Sequence, residues 1–347
     1  MLSLFDYGSY ERLGGKNFLI NLDKLLDWSE IELLLKSFKL RGPLGRTGYS
    51  ELSLFKSLLL GSWYSLSDPG LEESLRVRLD FMLFTGFHLG DNFPDETTLC
   101  KYRNLLVGCN GYEGLLRAVN SQLEARSLKL ERAEHAIIDA TLVTCAAHPS
   151  KVIEKEIVND REEDEQEAQE YKESFSTDKD ARWVKKGKKS VFGYKGFATV
   201  DEEGYINKTH TTPAHESEGK ELDKMTDGIK AKRVSADKAY YSKANKELLK
   251  KKGFKDGLMI RTFGKGKKLR DSQKNFNKLI SKHRFVVEQD FGTLKRKFKF
   301  NRASYFGLVK TQAQFTLKAI CLNLLKAFNK VVEFLSKGVL PPKLALS

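Results

Sequence analysis

The sequence has little cysteine and proline and no long apolar run, and each shortage excludes a class of protein. No stretch approaches the roughly 18 uninterrupted apolar residues of a membrane span. The first residues lack the basic and then apolar pattern of a secretory signal peptide. We therefore expect a cytoplasmic protein that does not span a membrane. The four cysteines lack the CxxC spacing of zinc and redox sites, which predicts reduced thiols. They are Cys100, Cys109, Cys145 and Cys321.

Positive charge is what the chain has in excess. Sixty lysines and arginines against 46 acidic residues give a net charge of +14 and a pI near 9.4. Such a balance predicts a polyanionic partner, either nucleic acid or an anionic membrane surface. A basic protein without any polyanionic partner is the alternative. The 347 residues, 40% of them hydrophobic, are enough for two domains or for one domain with a large appendage.

Residues 1–130 have the apolar spacing of helices. Ser50 and Asp95 each precede such a segment and are typical N-caps, whereas residues 67–70 break the pattern and 71–84 resume it. A compact helical region follows. Two roles remain open for it: DNA binding through a helix-turn-helix-like pair, or packing and dimerisation.

From His135 onward the pattern changes to short extended segments that alternate with helices. The predicted strands are residues 135–143, 192–200, 205–212, 232–237 and 257–262. The predicted helices are residues 219–230, 242–251 and 316–335, the last of them amphipathic. This alternation predicts a mixed sheet flanked by helices.

A charged insertion lies between the first two predicted strands, at about residues 150–190. Its first half, 154–173, is dominated by acids, and its second half contains four lysines in five residues, Lys185, Lys186, Lys188 and Lys189. Such runs are typical of solvated or mobile segments. The functional alternative is that the basic half contacts DNA and the acidic half screens it.

Three acidic residues, Asp139, Asp237 and Glu288, interrupt otherwise apolar segments. A buried carboxylate is costly unless it is paired or binds a metal. Each also has an ordinary structural explanation. Asp139 could end a strand, Asp237 could cap the next helix, and Glu288 could form an i,i+4 ion pair with Arg284. On a helix, Arg284, Glu288 and Lys295 fall within about 40° of one another.

These residues resemble the DDE transposases of bacterial insertion sequences, most closely the insertion sequence five group. In that family the helix of the third carboxylate reads Tyr, two residues, Arg, three residues, Glu, six residues, Lys. Arg284, Glu288 and Lys295 have those spacings, whereas Ser281 occupies the tyrosine position. Further segments are similar to family motifs in the same order. They are 58–68, 71–75 and 92–95 in the N-terminal part, then 139–143, 183–195, 212–217 and 237–240.

The resemblance implies a fold similar to ribonuclease H: a mixed five-stranded sheet with flanking helices, preceded by an all-α N-terminal region. It implies a helical DNA-binding and assembly domain over residues 1–130 and a catalytic domain over 131–340. The implied catalytic and metal-binding residues are Asp139, Asp237 and Glu288, whose hard oxygen ligands suit Mg²⁺, with Mn²⁺ as a substitute. The expected phosphate contacts are made by Arg284, Lys295, Arg296, Lys185, Lys186, Lys188 and Lys189.

By the same resemblance, the expected reaction is metal-dependent cleavage of insertion-sequence DNA ends, followed by strand transfer into target DNA. The expected partners are double-stranded DNA, both terminal inverted repeats and target, and a second copy of the chain on that DNA; the protein would be nucleoid-associated. A catalytically silent DNA-binding protein derived from such an enzyme is the alternative. An unrelated metal-dependent phosphatase is a third hypothesis. The aspartyl-phosphate type needs a second aspartate two positions after the first, and Thr141 at that position counts against it.

Overall fold

The computed structural model describes residue 8 and residues 11–13, 17–40, 48–149, 178–262 and 268–338. The first part is helical, as predicted. Its helices are α1 (Phe18–Asp23), α2 (Trp28–Ser37), α3 (Glu51–Trp63), α4 (Asp68–Val77), α5 (Leu79–Thr85), α6 (Glu96–Gly108) and α7 (Gly111–Ala125). Ser50 and Asp95 cap α3 and α6 as expected, since each side chain accepts a hydrogen bond from a backbone N–H in the first turn.

The predicted helix over residues 71–84 is wrong in one respect, because the structure divides that segment between α4 and α5. Arg78 separates them in an extended conformation, with φ −98° and ψ 115°. Its guanidinium forms two hydrogen bonds with the Asp80 carboxylate, at 3.0 and 2.7 Å. This local pair and the apolar faces of both short helices favour a sharp change of direction over one continuous helix.

Six strands form one mixed sheet within the described residues. They are β1 (Ala133–Thr144), β2 (Arg182–Lys186), β3 (Lys189–Val200), β4 (Ile206–Pro213), β5 (Ala231–Ala236) and β6 (Lys255–Leu258). The order is β2-β3-β1-β5-β6, with β4 also paired to β3. β1 runs antiparallel to β3 and parallel to β5, and β6 is parallel to β5. The mixed sheet is confirmed; the last strand ends at Leu258 and not, as predicted, at residue 262.

The strand that the prediction missed is β2, in the basic half of the insertion. β3 is long enough to pair with β2 through its first half and with β4 through its second half, on the same edge. A turn at Gly187, with φ +61°, joins β2 to β3. Lys185, Lys186, Lys188 and Lys189 are exposed, as expected for a solvated run, and they lie in this hairpin. The acidic half, 154–173, lies outside the described residues.

The remaining helices are α8 (Leu222–Thr226), α9 (Lys243–Lys251), α10 (Asp271–Arg296) and α11 (Leu308–Ser336). Two 3₁₀ turns, Glu218–Glu221 and Lys238–Tyr240, follow β4 and β5. The predicted helix over 219–230 is therefore shorter and begins as a 3₁₀ turn. The helix of Glu288 and the long amphipathic helix are confirmed, the latter beginning eight residues earlier than predicted.

The alternation of side chains along β1 divides the core between the two faces of the sheet. Ile137 and Val143 belong to the larger apolar cluster, with α10, α11 and the N-terminal helices. Ala136 and Ile138 belong to the smaller cluster, with α8 and α9. The N-terminal helices are tied to α11 by the Trp63 indole N–H, which donates to the Cys321 carbonyl at 3.0 Å.

No helix in the described part of the chain is both long and apolar enough to cross a membrane.

Candidate active site

Asp139 lies in the middle of β1, opposite Ala198 of β3, so the alternative that it ends a strand is wrong. Its side chain is 14% exposed and accepts a hydrogen bond from the Ala140 backbone N–H at 2.8 Å. Burial raises the pKa of the Asp139 carboxyl, Arg284 opposes that shift, and Asp237 adds to it. A charge in this position is stable only with a cation beside it.

Asp237 directly follows β5, the parallel neighbour of β1. Its carboxylate accepts a hydrogen bond from the Lys238 backbone N–H and caps the 3₁₀ turn Lys238–Tyr240. The capping explanation of Asp237 is therefore correct. The capping side chain is 41% exposed, so the Asp237 carboxylate is accessible to solvent. It also approaches Arg284, the partner of the buried Asp139.

Arg284 of α10 brings the two aspartates together. Its Nη2 donates to Asp139 Oδ2 at 2.8 Å, and its Nη1 lies 3.6 Å from Asp237 Oδ1. Burial alone would lower the pKa of the guanidinium, but the two carboxylates raise it by more, so the pKa of Arg284 is above its usual value. Two residues that are 98 positions apart in sequence thus share one cation.

The position of α10 is set by a clamp seven residues before Arg284. The Asn277 side chain accepts from the Ile260 N–H at 2.7 Å and donates to the Ile260 carbonyl at 3.0 Å, which fixes α10 to the chain just after β6. Seven residues are about two helical turns, so Asn277 and Arg284 lie on the same inward face. Val287 and Phe291 continue that face into the larger core.

Glu288 lies one turn after Arg284 and is exposed. The ion pair expected between them is not among the contacts of the described residues, where Arg284 pairs with the two aspartates. The Glu288 charge nevertheless contributes, after those of Asp139 and Asp237, to the raised pKa of Arg284. Lys295 is on the same side as Arg284, about 16 Å further along the helix.

The basic residues expected near DNA form two neighbouring groups. Burial lowers the pKa of Lys295 at the end of α10, and the positive charge of Lys186 in the β2–β3 hairpin lowers it further. Arg296 is exposed beside them, as are the other hairpin lysines. Ser281, at the position of the family's tyrosine, is exposed on α10.

The sequence analysis did not predict a functional role for two residues near this site, Glu218 and Lys195. The Glu218 carboxylate is within the electrostatic range of both Asp139 and Asp237, and it lies 3.5 Å from the Lys195 ammonium. Glu218 comes directly after the segment 212–217, whose similarity to a family motif was the only indication in the sequence that this region is close to the site. Neither Glu218 nor Glu288 completes a group of three acidic, histidine or cysteine side chains able to hold a metal, within the residues that the structure describes.

The chemistry of these donors nevertheless fits a divalent cation. Asp139 and Asp237 provide hard carboxylate oxygens close enough to share one positive group, which is now the guanidinium of Arg284. The Arg284 Nε is buried and has no hydrogen-bond partner among the described residues. The guanidinium therefore fills the place of a cation without satisfying all its own donors.

Comparison with known proteins gives two family matches. Residues 131–324 match the family described as "Transposase DDE domain", and residues 9–105 match the "Transposase domain (DUF772)" family. The chain is 43% identical over 240 residues to the transposase for insertion sequence element IS1106 of Neisseria meningitidis serogroup B. That alignment spans 69% of this chain and 81% of the relative. No solved structure matches the chain.

Proposed function

The chain belongs to the DDE transposases of insertion sequences, and on that premise we propose that it cuts the DNA ends of its own element and joins them to target DNA with divalent cations. The observation that carries the proposal is the convergence of Asp139 and Asp237 on Arg284. The printed name of the IS1106 relative describes the same class of element. The resemblance to the insertion sequence five group is retained as part of this proposal.

In this proposal Asp139, Asp237 and Glu288 are the catalytic residues and hold Mg²⁺, for which Mn²⁺ substitutes. When bound, the cations supply Lewis acidity at the attacking and leaving oxygens of phosphoryl transfer. Asp139 and Asp237 orient those oxygens from the rigid sheet. Glu288, which is exposed on α10, joins them from the solvent side.

The reaction has two steps at one site. In the first step, the oxygen of a water molecule bonds to phosphorus while the P–O3′ bond breaks; a water proton ends on the leaving oxygen and frees a 3′-hydroxyl. In the second step, that hydroxyl attacks a target phosphodiester, the target P–O3′ bond breaks, and the proton passes to the new 3′-oxygen. Neither step needs a covalent bond to the protein.

Arg284 has two roles in this scheme. Without DNA it neutralises Asp139. With Asp139 neutralised in another way, the planar guanidinium of Arg284 would be able to bind a phosphate through two parallel hydrogen bonds. Lys295, Arg296 and the four hairpin lysines, Lys185, Lys186, Lys188 and Lys189, extend the basic surface along the DNA.

The topology supports a ribonuclease H-like core. The path β4-β3-β1-β5-β6 gives five strands with the first three antiparallel and the last three parallel, and we treat β2 as an addition at its edge. We also propose that residues 1–130 form the DNA-binding and assembly domain and that 131–340 form the catalytic domain. A homodimer on paired element ends and a nucleoid-associated location complete the proposal.

The test uses purified protein, Mg²⁺ or Mn²⁺, and a duplex carrying the element's terminal repeat. We expect nicking at the repeat end by the natural protein and none by Asp139→Ala, Asp237→Ala or Glu288→Gln, each checked for folding by circular dichroism. Cleavage that survives in all three variants would show that the site assignment is wrong.

One observation favours the catalytically silent alternative: Ser281 stands where the family motif has tyrosine, and it is exposed on the helix of Glu288. The same experiment separates the two candidates. Specific binding of the terminal repeat without nicking under either metal would favour the silent DNA-binding protein.

A further inference from the structure

The two 3₁₀ turns that follow β4 and β5 are packed directly against each other. A Cβ atom at Gly219 would lie 3.1 Å from the Ala239 carbonyl oxygen, so the first turn approaches the second as closely as glycine permits. The Asn245 side-chain amide donates to the carbonyls of both turns, to Gly219 at 3.0 Å and to Tyr240 at 2.7 Å. Glu218 is therefore fixed beside the turn that Asp237 caps.

Glu218 is held by a buried lysine. The Lys195 ammonium lies 3.5 Å from Glu218 Oε1 and donates to the Glu216 backbone carbonyl at 2.7 Å. The Lys195 and Glu218 side chains are only 10% and 26% exposed. The negative charges of Asp139 and Asp237 both act on Glu218. This arrangement repeats that of Asp139, where an acidic side chain next to the same centre is also neutralised by a basic one.

A buried tyrosine hydroxyl lies on the second of these turns. Tyr240 is fully buried, and its Oη has no hydrogen-bond partner among the described residues. Burial raises the pKa of this hydroxyl, and the negative charges of Glu218 and Asp139 raise it further. A buried hydroxyl left unsatisfied destabilises the folded protein. A bound group that brought oxygen ligands or water to this hydroxyl would remove that penalty.

We propose that Glu218 binds the divalent cation together with Asp139 and Asp237, and that Lys195 is the counter-ion which the cation replaces. The proposal rests on the function proposed above and adds a fourth carboxylate to its three. In the described structure Glu218 pairs with Lys195 and does not yet complete a metal-holding group with the two aspartates, so the proposal requires Lys195 to release it. Lys195, which acts through Glu218, is a positioning residue.

The first test locates the bound cation without using catalytic activity. Fe²⁺ is bound to the natural full-length protein in place of Mg²⁺, and peroxide with ascorbate then generates hydroxyl radicals that cut the backbone near the ion. We expect cuts near residues 139 and 237 and also at 216–219, all suppressed by excess Mg²⁺. Cuts near 139 and 237 alone would overturn the role of Glu218 and leave the proposed function intact. No iron-dependent cuts would overturn both.

The second test measures Mn²⁺ affinity by calorimetry in matched variants. Glu218→Gln should weaken binding roughly tenfold, whereas Glu216→Gln, whose side chain faces His215 at the surface, should leave it unchanged. Lys195→Met removes the competing ammonium and should strengthen binding. Equal affinities in the natural protein and Glu218→Gln, or weaker binding in Lys195→Met with an unchanged circular dichroism spectrum, would refute the proposal.

Discussion

Two clusters of acidic residues contact α10, and they differ in how far their carboxylates are exposed to solvent. The exchange cluster consists of Asp139, Asp237 and Arg284, and Asp237 opens it to solvent. The sealed cluster consists of Asp201 and Asp290 with Lys129 and Lys326. In the sealed cluster Lys326 lies 2.5 Å from Asp290, Lys129 lies 3.9 Å from Asp201, and both acidic side chains are at most 3% exposed.

The acidic residues of the sealed cluster have raised pKa values, which by themselves are typical of a functional site. Burial raises the pKa of both Asp201 and Asp290 to about 6. The Oδ2 atom of each accepts no hydrogen bond from another described residue. Yet it lacks an exposed carboxylate at which DNA phosphate could meet a metal. A raised carboxyl pKa is therefore common to both clusters, and what distinguishes the exchange cluster is the solvent-exposed carboxylate of Asp237.

The largest expected effect separates the clusters by activity. Asp139→Asn should lower the rate of terminal-repeat nicking by roughly a thousandfold or more, because the variant loses a group that orients the reacting oxygens. Asp201→Asn should retain most of that rate, since its side chain only fills a closed network. Single-turnover cleavage at saturating Mn²⁺ measures both. Equal losses in the two variants would abolish the distinction between the clusters.

The next effect concerns stability and its rescue by metal. Arg284→Met leaves Asp139 buried without its cation and should lower the free energy of unfolding by about 3 kcal/mol at pH 7. Millimolar Mn²⁺ should restore most of that loss, because the ion binds only the folded state. Lys326→Met should also destabilise the protein, but without rescue by Mn²⁺. Urea denaturation with and without metal makes the comparison, and Arg296→Gln, at an exposed position, is the control.

The helix caps and the helix of Glu288 could be predicted from the sequence, whereas the position of Glu218 could not. Ser50 and Asp95 could be recognised as caps because capping is a local hydrogen bond within a few residues. The helix of Glu288 was equally accessible, since its apolar period is set by Val287, Phe291 and Leu294. Glu218 was not accessible, because its approach to Asp237 depends on two turns that only the order of the strands brings together.

The same limit explains the other errors. The helix break at Arg78 depends on one side-chain pair with Asp80, which competes with an otherwise helical pattern. The lysines are solvated as predicted, but the hairpin that they belong to was not predicted, because the pairing partner of β2, the first half of β3, is not marked by composition. Two acidic residues that are close together on α10 differ in burial, since Asp290 is buried and Glu288 is exposed. This difference could not be predicted from the sequence.

A smaller effect is the pH dependence of the sealed cluster. Asp290 has a pKa of about 6 in the folded protein against 3.8 for an ordinary aspartate, so the folded state binds more protons between those values. Its contribution to stability is present below pH 3.8 and is lost as pH rises through 6. The natural protein should therefore lose roughly 2 kcal/mol relative to Asp290→Asn between pH 4 and 6.5. Parallel stability curves for the two proteins in urea would contradict this account.

The smallest expected effect is on DNA affinity. Lys186→Gln, in the hairpin beside Lys295, should reduce by about one the slope of log affinity against log salt, because one phosphate contact is lost. Lys330→Gln, on α11 near the sealed cluster, where Lys330 and Lys326 both contact Glu203, should leave the slope unchanged. Fluorescence anisotropy with a labelled terminal-repeat duplex at several salt concentrations measures both slopes. A greater change of slope in Lys330→Gln than in Lys186→Gln would place the DNA surface beside the sealed cluster and contradict this assignment.

The most direct measurement of the central claim is a crystal structure of the protein with Mn²⁺, using the anomalous signal to locate the ion. The account predicts Mn²⁺ bound by Asp139 and Asp237, with Arg284 displaced from the hydrogen bond that it now donates to Asp139. Mn²⁺ at Asp201 and Asp290, or a saturated crystal in which Arg284 still bridges the two aspartates, would contradict it.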